Sequence, residues 1–198
     1  MNVFSDDAGM QMKIAIDTNI LANVYSDAAS TNSGATAGAK SGDIDLGVTG
    51  TPLVVTKADI LDVIVDCGTA LTENDVPETQ RSLVIPVWFA GMILKSDLQD
   101  ASLAGDGTSI LRNGRIGMIS RFEIFESNLL STATEGANTA FNAIFCQRHA
   151  LTFAAQMTKM ESLRSESTFG TIVRGLNVYG YKTIKATAMG HLYIRKGT

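Results

Sequence analysis

The most constraining feature of this chain is an apolar residue at every fourth position over its first two dozen residues. The repeat runs through six positions: Phe4, Ala8, Met12, Ile16, Ile20 and Val24. A spacing of four places these side chains on one side of a helix, and the carboxylates of Asp6 and Asp7 near its start favour the helix dipole. We therefore predict one long helix over residues 4–28, whose apolar stripe needs a partner surface.

The composition is that of a globular protein without a basic surface. Of the 198 residues, 45% are hydrophobic and 18% are charged, which allows a core in one domain or in two closely joined subdomains. The formal net charge of −4 argues against a surface that neutralises many phosphates. We find no apolar stretch of the ~20 residues that a membrane span needs, and no signal peptide at the N-terminus. We expect cytoplasmic synthesis and no membrane contact.

Turn-forming residues divide the chain after the first helix. The Gly-, Ser- and Ala-rich residues 30–42 predict a mobile linker, because the segment lacks the Gly-Lys-Ser/Thr ending on a helix that a phosphate cradle requires. Residues 56–59 resemble a capping box. Five apolar residues then share one helical face: Ile60, Val63, Ile64, Cys67 and Leu71. We expect this helix to end in a turn over residues 71–77.

Short apolar runs predict strands in the middle of the chain. Residues 81–85 are β-branched and apolar, as expected of a buried strand, and Pro86 then opens a helical turn. That turn carries three apolar residues: Trp88, Met92 and Leu94. The turn dipeptide at residues 113–114 precedes two alternating strand halves over residues 116–124. We expect a loop over residues 131–138 and a further strand over residues 141–146.

The final third is the most basic part of the chain and alternates like strands. We predict strands over residues 181–184 and 192–194, whereas residues 169–176 fit a helix or a strand equally well. Seven cations lie here: Lys159, Arg164, Arg174, Lys182, Lys185, Arg195 and Lys196. They are consistent with a solvated face, and with contact to nucleic acid or to an acidic neighbouring subunit.

Cysteine and histidine do not form a recognisable site. Cys67 and Cys146 lie in apolar surroundings without a C-x-x-C spacing, which is typical of small core residues in a reducing compartment. Cys146 precedes His149 by three residues, but no second ligand pair accompanies them, and His191 stands apart. No Gly-x-Ser-x-Gly elbow is present. We predict no catalytic residue, no metal site, no cofactor and no small-molecule substrate.

Acidic residues provide one enzymatic alternative. Residues 13–21, Lys-Ile-Ala-Ile-Asp-Thr-Asn-Ile-Leu, resemble the opening strand of PIN-domain ribonucleases, in which an aspartate, here Asp17, helps to bind a divalent metal. The four-residue repeat on both sides of Asp17 favours a helix instead. A second acidic set alternates with the apolar face of the helix that follows residue 59, and this set is most simply its solvated side: Asp59, Asp62, Asp66 and Glu73.

The order of these segments resembles the major capsid proteins of tailed bacteriophages. The family has a spine helix, a Gly-rich loop, an amphipathic helix ending in a Val-Pro turn, and an Arg-x-x-Val/Ile strand ending in Pro. An Ile-Gly-x-Ile-x-x-Phe-x-Ile-x-x-Ser-Asn-Leu strand and a Tyr-Gly-x-Lys region follow. Here the last two correspond to residues 114–130 and 179–194. The resemblance spans nearly the whole chain.

The resemblance implies an α+β fold and a structural role. It implies a peripheral domain made from residues 1–55, with the spine helix and loop, and residues 157–198, with returning strands. Residues 56–156 would form an inserted axial domain, a mixed sheet flanked by helices. Family members assemble into hexamers and pentamers that enclose double-stranded DNA in an icosahedral shell. The resemblance thus implies a virion protein made in the bacterial host, with portal, scaffold and packaged DNA as further partners.

The chain also departs from the family pattern. It begins at the spine helix, without the N-terminal arm and extended loop of the family, so we expect those intersubunit contacts to be missing. Arg121 stands where the family often has Gly, and residues 185–188 lack the proline that often precedes the final strand. A shell-forming cellular compartment protein, or a phage tail or decoration component, would use the same fold and stays an open alternative.

Overall fold

The structure, a computed structural model, describes residues 2–96, 117–166 and 169–197. The helices are α1 (Asn2–Asn23), α2 (Ile60–Glu73) and α3 (Val87–Leu94). The strands are β1 (Leu53–Val55), β2 (Arg81–Ile85), β3 (Met118–Ile119), β4 (Phe122–Glu126), β5 (Thr132–Glu135), β6 (Asn138–Gln147), β7 (Leu151–Arg164), β8 (Thr171–Thr183) and β9 (Met189–Lys196). This mixture of helices and a mixed sheet confirms the predicted α+β class.

Two separate sheets organise these strands. The larger sheet has the order β1-β9-β6-β2-β4-β3, with β5 added to β6. Its pairings are antiparallel except between β1 and β9 and between β2 and β4. The smaller sheet contains only β7 and β8 as a long antiparallel ribbon. One apolar cluster fills the space between the larger sheet, α2 and α3.

The long N-terminal helix is confirmed. α1 runs over Asn2–Asn23, and the chain continues as a 3-10 turn over Val24–Asp27. In the predicted stripe Met12, Ile16 and Ile20 are half-buried and Val24 is 3% exposed, whereas Met10 and Ile14, elsewhere on α1, are 64% and 45% exposed. The stripe is therefore only partly covered within one chain.

The prediction of a mobile linker over residues 30–42 is wrong. The segment folds into a 3-10 turn at Ser30–Asn32 and a backbone bridge between Ala37 and Ile44. Asn32 is fully buried, and its amide nitrogen donates to the carbonyls of Thr187 and Met189 at 2.7 and 3.1 Å. Because each buried polar group there has a partner, the glycines serve to turn the chain and do not leave it loose.

The prediction for residues 60–94 is confirmed except at the helix start. α2, β2 and α3 occupy the expected positions, and the five residues of the predicted apolar face are buried. The capping box is wrong, since α2 begins at Ile60 and no side chain bonds its free amides. The Thr56 hydroxyl donates to the Asp59 carboxylate instead.

The hairpin of β3 and β4 confirms the two strand halves from residue 118 onward. The predicted turn at residues 113–114 and Ile116 lie outside the described residues. The chain reverses at Ser120 and Arg121, whose φ angles of 46° and 69° are both positive, as a type I′ turn requires. Arg121 thus occupies a conformation that glycine adopts without strain.

The predicted loop over residues 131–138 is wrong. β5 pairs with β6 across a two-residue turn at Gly136, and this pairing satisfies the backbone of a short polar segment. The described regular elements of the final third are β7, β8 and β9 and a 3-10 turn at Ala186–Ala188. The predicted strand over residues 181–184 coincides with β8 as far as Thr183, and the one over residues 192–194 lies within β9. The open choice for residues 169–176 resolves to strand from Thr171. β9 falls in the segment assigned to the peripheral domain, but it pairs with β6 in the larger sheet. The expected domain boundary after residue 156 falls inside β7.

Candidate functional site

The ribbon of β7 and β8 has the richest exposed apolar surface in the described chain. Sixteen large apolar side chains are exposed among the described residues, and eight of these lie between residues 153 and 184, in the ribbon or directly beside it. The two strands, 14 and 13 residues long, extend about 45 Å. A two-stranded ribbon is marginally stable at best in water. The ribbon therefore requires more cover than its own two strands provide.

One face of the ribbon, the inner face, receives α1. The amide of Asn177 donates to the Met12 sulfur at 3.3 Å, and the Tyr181 hydroxyl donates to the Asn19 side-chain oxygen at 3.4 Å. Farther along, the Thr183 hydroxyl donates to Asp27 at 2.8 Å. These contacts hold a helix along the half of the ribbon that lies nearest the larger sheet.

The opposite face, which we call the outer face, combines apolar side chains with a charged triad. Strand alternation and register place four exposed apolar residues on it: Leu163, Ile172, Leu176 and Val178. Between them Glu161 accepts two bonds from Arg174, at 3.0 and 2.6 Å, and pairs with Lys159. Hydrogen bonds from Lys159 and Arg174 lower the pKa of Glu161. The triad leaves one net positive charge.

Charge is distributed unevenly along the chain. Residues 151–198 contain seven Lys and Arg and two Asp and Glu, whereas residues 1–150 contain nine and eighteen. The net charge of −4 therefore combines a basic C-terminal quarter with a strongly acidic remainder. The basic tendency was visible in the sequence. What the sequence pattern missed is that the apolar residues interleaved with these cations face solvent and not a core.

The solvent side of α2 is the acidic counterpart of that surface. Asp59 and Asp62 are exposed, Asp66 is half-buried, and Val65 between them is 51% exposed. Burial, followed by repulsion from Asp62 and Asp43, raises the pKa of Asp66. Among the described residues no cation pairs with these carboxylates. We refer to this set, Asp59, Asp62, Val65 and Asp66, as the acidic α2 face.

The fourth predicted acidic residue, Glu73, anchors the preceding loop. Its carboxylate accepts the backbone amides of Lys40 and Ser41 at 2.8 and 3.0 Å. These bonds, with the Ser41 hydroxyl, lower the pKa of Glu73. The amides that a phosphate cradle would offer are therefore occupied by a carboxylate of the same chain.

The junction of α1 with the larger sheet is built around His191. Its ring lies 5.1 Å from that of Tyr25, and Nε2 is 2.9 Å from the side-chain oxygen of Asn142. Burial lowers the pKa of His191 to about 4. The imidazole is thus neutral at physiological pH and acts as a packing element of the junction.

The structure brings together no catalytic constellation from the predicted candidates. Asp17 is exposed in the middle of α1, so the strand required by the ribonuclease alternative is contradicted. Cys67 and Cys146 are free; Cys146 is half-buried in β6, whereas His149 is exposed. Within the described ranges we find no group of three or more potential metal ligands.

An open groove of about 730 Å³ lies between α3 and β4, lined by apolar side chains and by Glu123 and Glu126. None of the helices in the described ranges is sufficiently long and apolar to span a membrane.

Comparisons with known proteins agree on one family and one fold. A sequence model of the family described as phage capsid protein matches residues 1–192. A comparison with curated protein sequences gives no significant match. Three solved structures are similar to the chain. One is from Mycobacterium phage Che8, with 24% identity, a TM-score of 0.69, and coverage of 97% of this chain and 62% of that chain.

The second structure is the capsid of cyanophage P-SCSP1u, with 16% identity, a TM-score of 0.70, and coverage of 100% of this chain and 66% of that chain. The third is the mature capsid of bacteriophage PhiM1, with 13% identity, a TM-score of 0.65, and coverage of 100% and 65%. At these identities the likeness establishes the fold. The chain spans less than two thirds of the length of each of these three structures.

Proposed function

The chain belongs to the phage capsid protein family, and on that premise we propose that it is a structural subunit of an icosahedral tailed-phage or prophage capsid. The observation that carries the proposal is the match of the family over residues 1–192, together with a fold shared by three phage structures. The family implies a structural role, and we propose that the protein is not an enzyme.

The exposed ribbon supports this proposal physically. A shell subunit must keep apolar surface outside its own core, because that surface is buried only on assembly. The inner face of the ribbon is partly covered by α1, while the outer face and the side chains of Met10 and Ile14 on α1 face solvent. A chain of this size that folds but does not assemble would not need to expose these apolar side chains.

The wider assignments belong to the same proposal. We propose hexamers and pentamers that enclose double-stranded DNA in a virion, with production in the host cytoplasm and with portal and scaffold proteins as further partners. We also propose a peripheral unit, built from α1 and the ribbon, and an axial unit around the larger sheet. In this division β9 belongs to the axial sheet, because it pairs with β6 along seven residue pairs.

Sedimentation velocity and negative-stain microscopy of the purified chain test the proposal. Closed shells, rings or capsomers are the expected products. The core variant Ile64→Thr, at a fully buried position of α2, provides a destabilised control that separates assembly from aggregation of unfolded chains. A folded chain that stays monomeric up to millimolar concentration, alone and with a full-length subunit from the same family, would contradict the proposal.

A further inference from the structure

We propose that the outer face of the ribbon docks on the acidic α2 face of a second copy of this chain. The inference rests on the proposed function, since it names one contact through which capsid subunits would associate. Both surfaces are on the described part of the chain. The outer face combines exposed apolar side chains with a net positive charge, and the acidic α2 face combines the exposed Val65 with three carboxylates.

Charge complementarity identifies the occupant. The outer-face triad leaves one positive charge on the ribbon, and Lys182 adds another on the same face. The acidic α2 face carries three carboxylates without an ion-pair partner among the described residues, and Asp66 is repelled by Asp62 and by the nearby Asp43. A cationic surface from another copy relieves that repulsion, whereas a second acidic surface increases it.

The outer face is long enough to receive the whole of α2, whose N-terminal half carries the acidic α2 face. Ile172 and Val178 are about 20 Å apart along β8, and the 14 residues of α2 span about 21 Å. A two-stranded ribbon and a helix are each about 10 Å wide. The inner face already carries a helix, α1, so docking of α2 on the outer face would place the ribbon between two helices.

A shallow groove locates the centre of the contact. It has a volume of about 320 Å³ and is lined by Lys159, Glu161, Arg174, Gly175 and Leu176. Val65 projects from the middle of the acidic α2 face with half of its side chain exposed. Seating Val65 in this groove brings Asp62 and Asp66 towards Lys159 and Arg174, the cations that flank it.

The contact joins two different surfaces, so it is heterologous. Each copy offers a ribbon to one neighbour and an α2 face to another, and such contacts close into rings when the rotation permits. This geometry is compatible with capsomers and does not limit the assembly to dimers.

Charge reversal that preserves the internal ion pairs tests the inference. The triple variant Lys159→Glu, Glu161→Lys and Arg174→Glu inverts the triad while keeping both of its pairs. The variant Asp62→Lys with Asp66→Lys inverts the α2 face. At low ionic strength each variant alone should self-associate at least roughly tenfold more weakly than the wild type. This difference from the wild type should be smaller in ~1 M salt, which screens the charges. The chain carrying all five changes should recover association.

Mixing provides a second readout. In an equimolar mixture of the two single-surface variants, a contact is complementary only when it joins one variant to the other. The variants must therefore alternate around a ring, so the mixture should form even-numbered rings and exclude five-membered ones. Arg148→Glu, an exposed cation elsewhere, gives the same net charge change as the triad reversal and should leave association unchanged. Near-ultraviolet circular dichroism checks the fold of every variant.

The outcomes separate this inference from the proposed function. If the wild type assembles and both reversed variants assemble equally well, the docking is wrong and the capsid proposal stands. The docking is equally wrong if the five-change chain does not recover association. A triad reversal that abolishes binding to a 20-base-pair duplex, with self-association unaffected, would assign the ribbon to nucleic acid. A folded wild type that never self-associates overturns both proposals.

Discussion

At the scale of single residues, the larger sheet contains a position that admits only glycine. A Cβ atom on Gly190 of β9 would overlap the ring of Phe145 on β6, and that ring is itself fully buried against Phe122. Gly190→Ala should therefore lower the free energy of unfolding by about 1–3 kcal/mol, the usual cost of overpacking. Urea denaturation measures the change.

Gly180 of β8 is the matched control for that substitution. A Cβ atom there meets nothing within 4 Å, so Gly180→Ala should change the free energy of unfolding by less than about 0.5 kcal/mol. Equal losses at the two glycines would mean that strand flexibility, and not the Phe145 ring, determines the effect.

A second residue-scale prediction concerns the turn between β3 and β4. Arg121 has a φ of 69° and pairs with Glu78 at the surface. Changing Ser120 to Asn and Arg121 to Gly gives the pair that a type I′ turn prefers, relieving roughly 1–2 kcal/mol of left-handed strain while removing an exposed ion pair worth ~0–1 kcal/mol. Thermal unfolding should show a small net stabilisation. Arg121→Ala, which keeps a Cβ and loses the pair, should be destabilising.

At the scale of elements, the junction between α1 and the larger sheet should weaken in acid. His191 must be neutral in its buried site, so its folded pKa of about 4 lies below the ordinary value of 6.5. The unfolded chain then binds the proton more readily, and stability that is complete above pH 6.5 falls as the pH drops towards 4. The loss from this group is at most about 3 kcal/mol.

Comparison with His191→Gln isolates this contribution from the titrating carboxylates. The difference in unfolding free energy between the two proteins should depend on pH between 7 and 4, and the wild type should lose more. His149→Gln, at an exposed position of the turn after β6, should follow the wild-type profile. A constant difference across that range would show that His191 stabilises the junction by packing alone.

Elements with a local signature were predictable from the sequence, and elements defined by distant partners were not. The apolar face of α2 and the β-branched run of β2 carry their own periodicity. By contrast, β5 is a short polar segment that becomes a strand because β6 satisfies its backbone. Residues 30–42 were expected to be loose because their Gly and Ser content resembles a linker, but Asn32 finds its partners more than 150 residues away.

The ribbon shows the same limit for the candidate site. Its basic residues were recognised in the sequence, yet strand alternation alone does not tell a face that packs on a core from one that faces solvent. The turn at Ser120 and Arg121 lacks the usual Asn-Gly signal, so its position was equally hidden. Only the pairing of β3 with β4 forces the chain to reverse there.

At the scale of the whole molecule, folding and assembly should depend on different sheets. The core lies between the larger sheet, α2 and α3, whereas Ile172 and Val178 on the ribbon are each 53% exposed. Replacing both with Thr keeps their β-branched shape and strand preference, so the free energy of unfolding should change by less than about 0.5 kcal/mol per site.

The same double variant should lose self-association, because it replaces apolar area that only a neighbouring copy can bury. Ile64→Thr provides the opposite case, since it buries an unpartnered hydroxyl in the core and should cost roughly 2 kcal/mol or more of stability. Urea denaturation and sedimentation equilibrium on the two variants would thus give opposite patterns. A ribbon variant that unfolds as readily as the core variant would mean that the ribbon belongs to the folding core, and that its exposed side chains are not reserved for assembly.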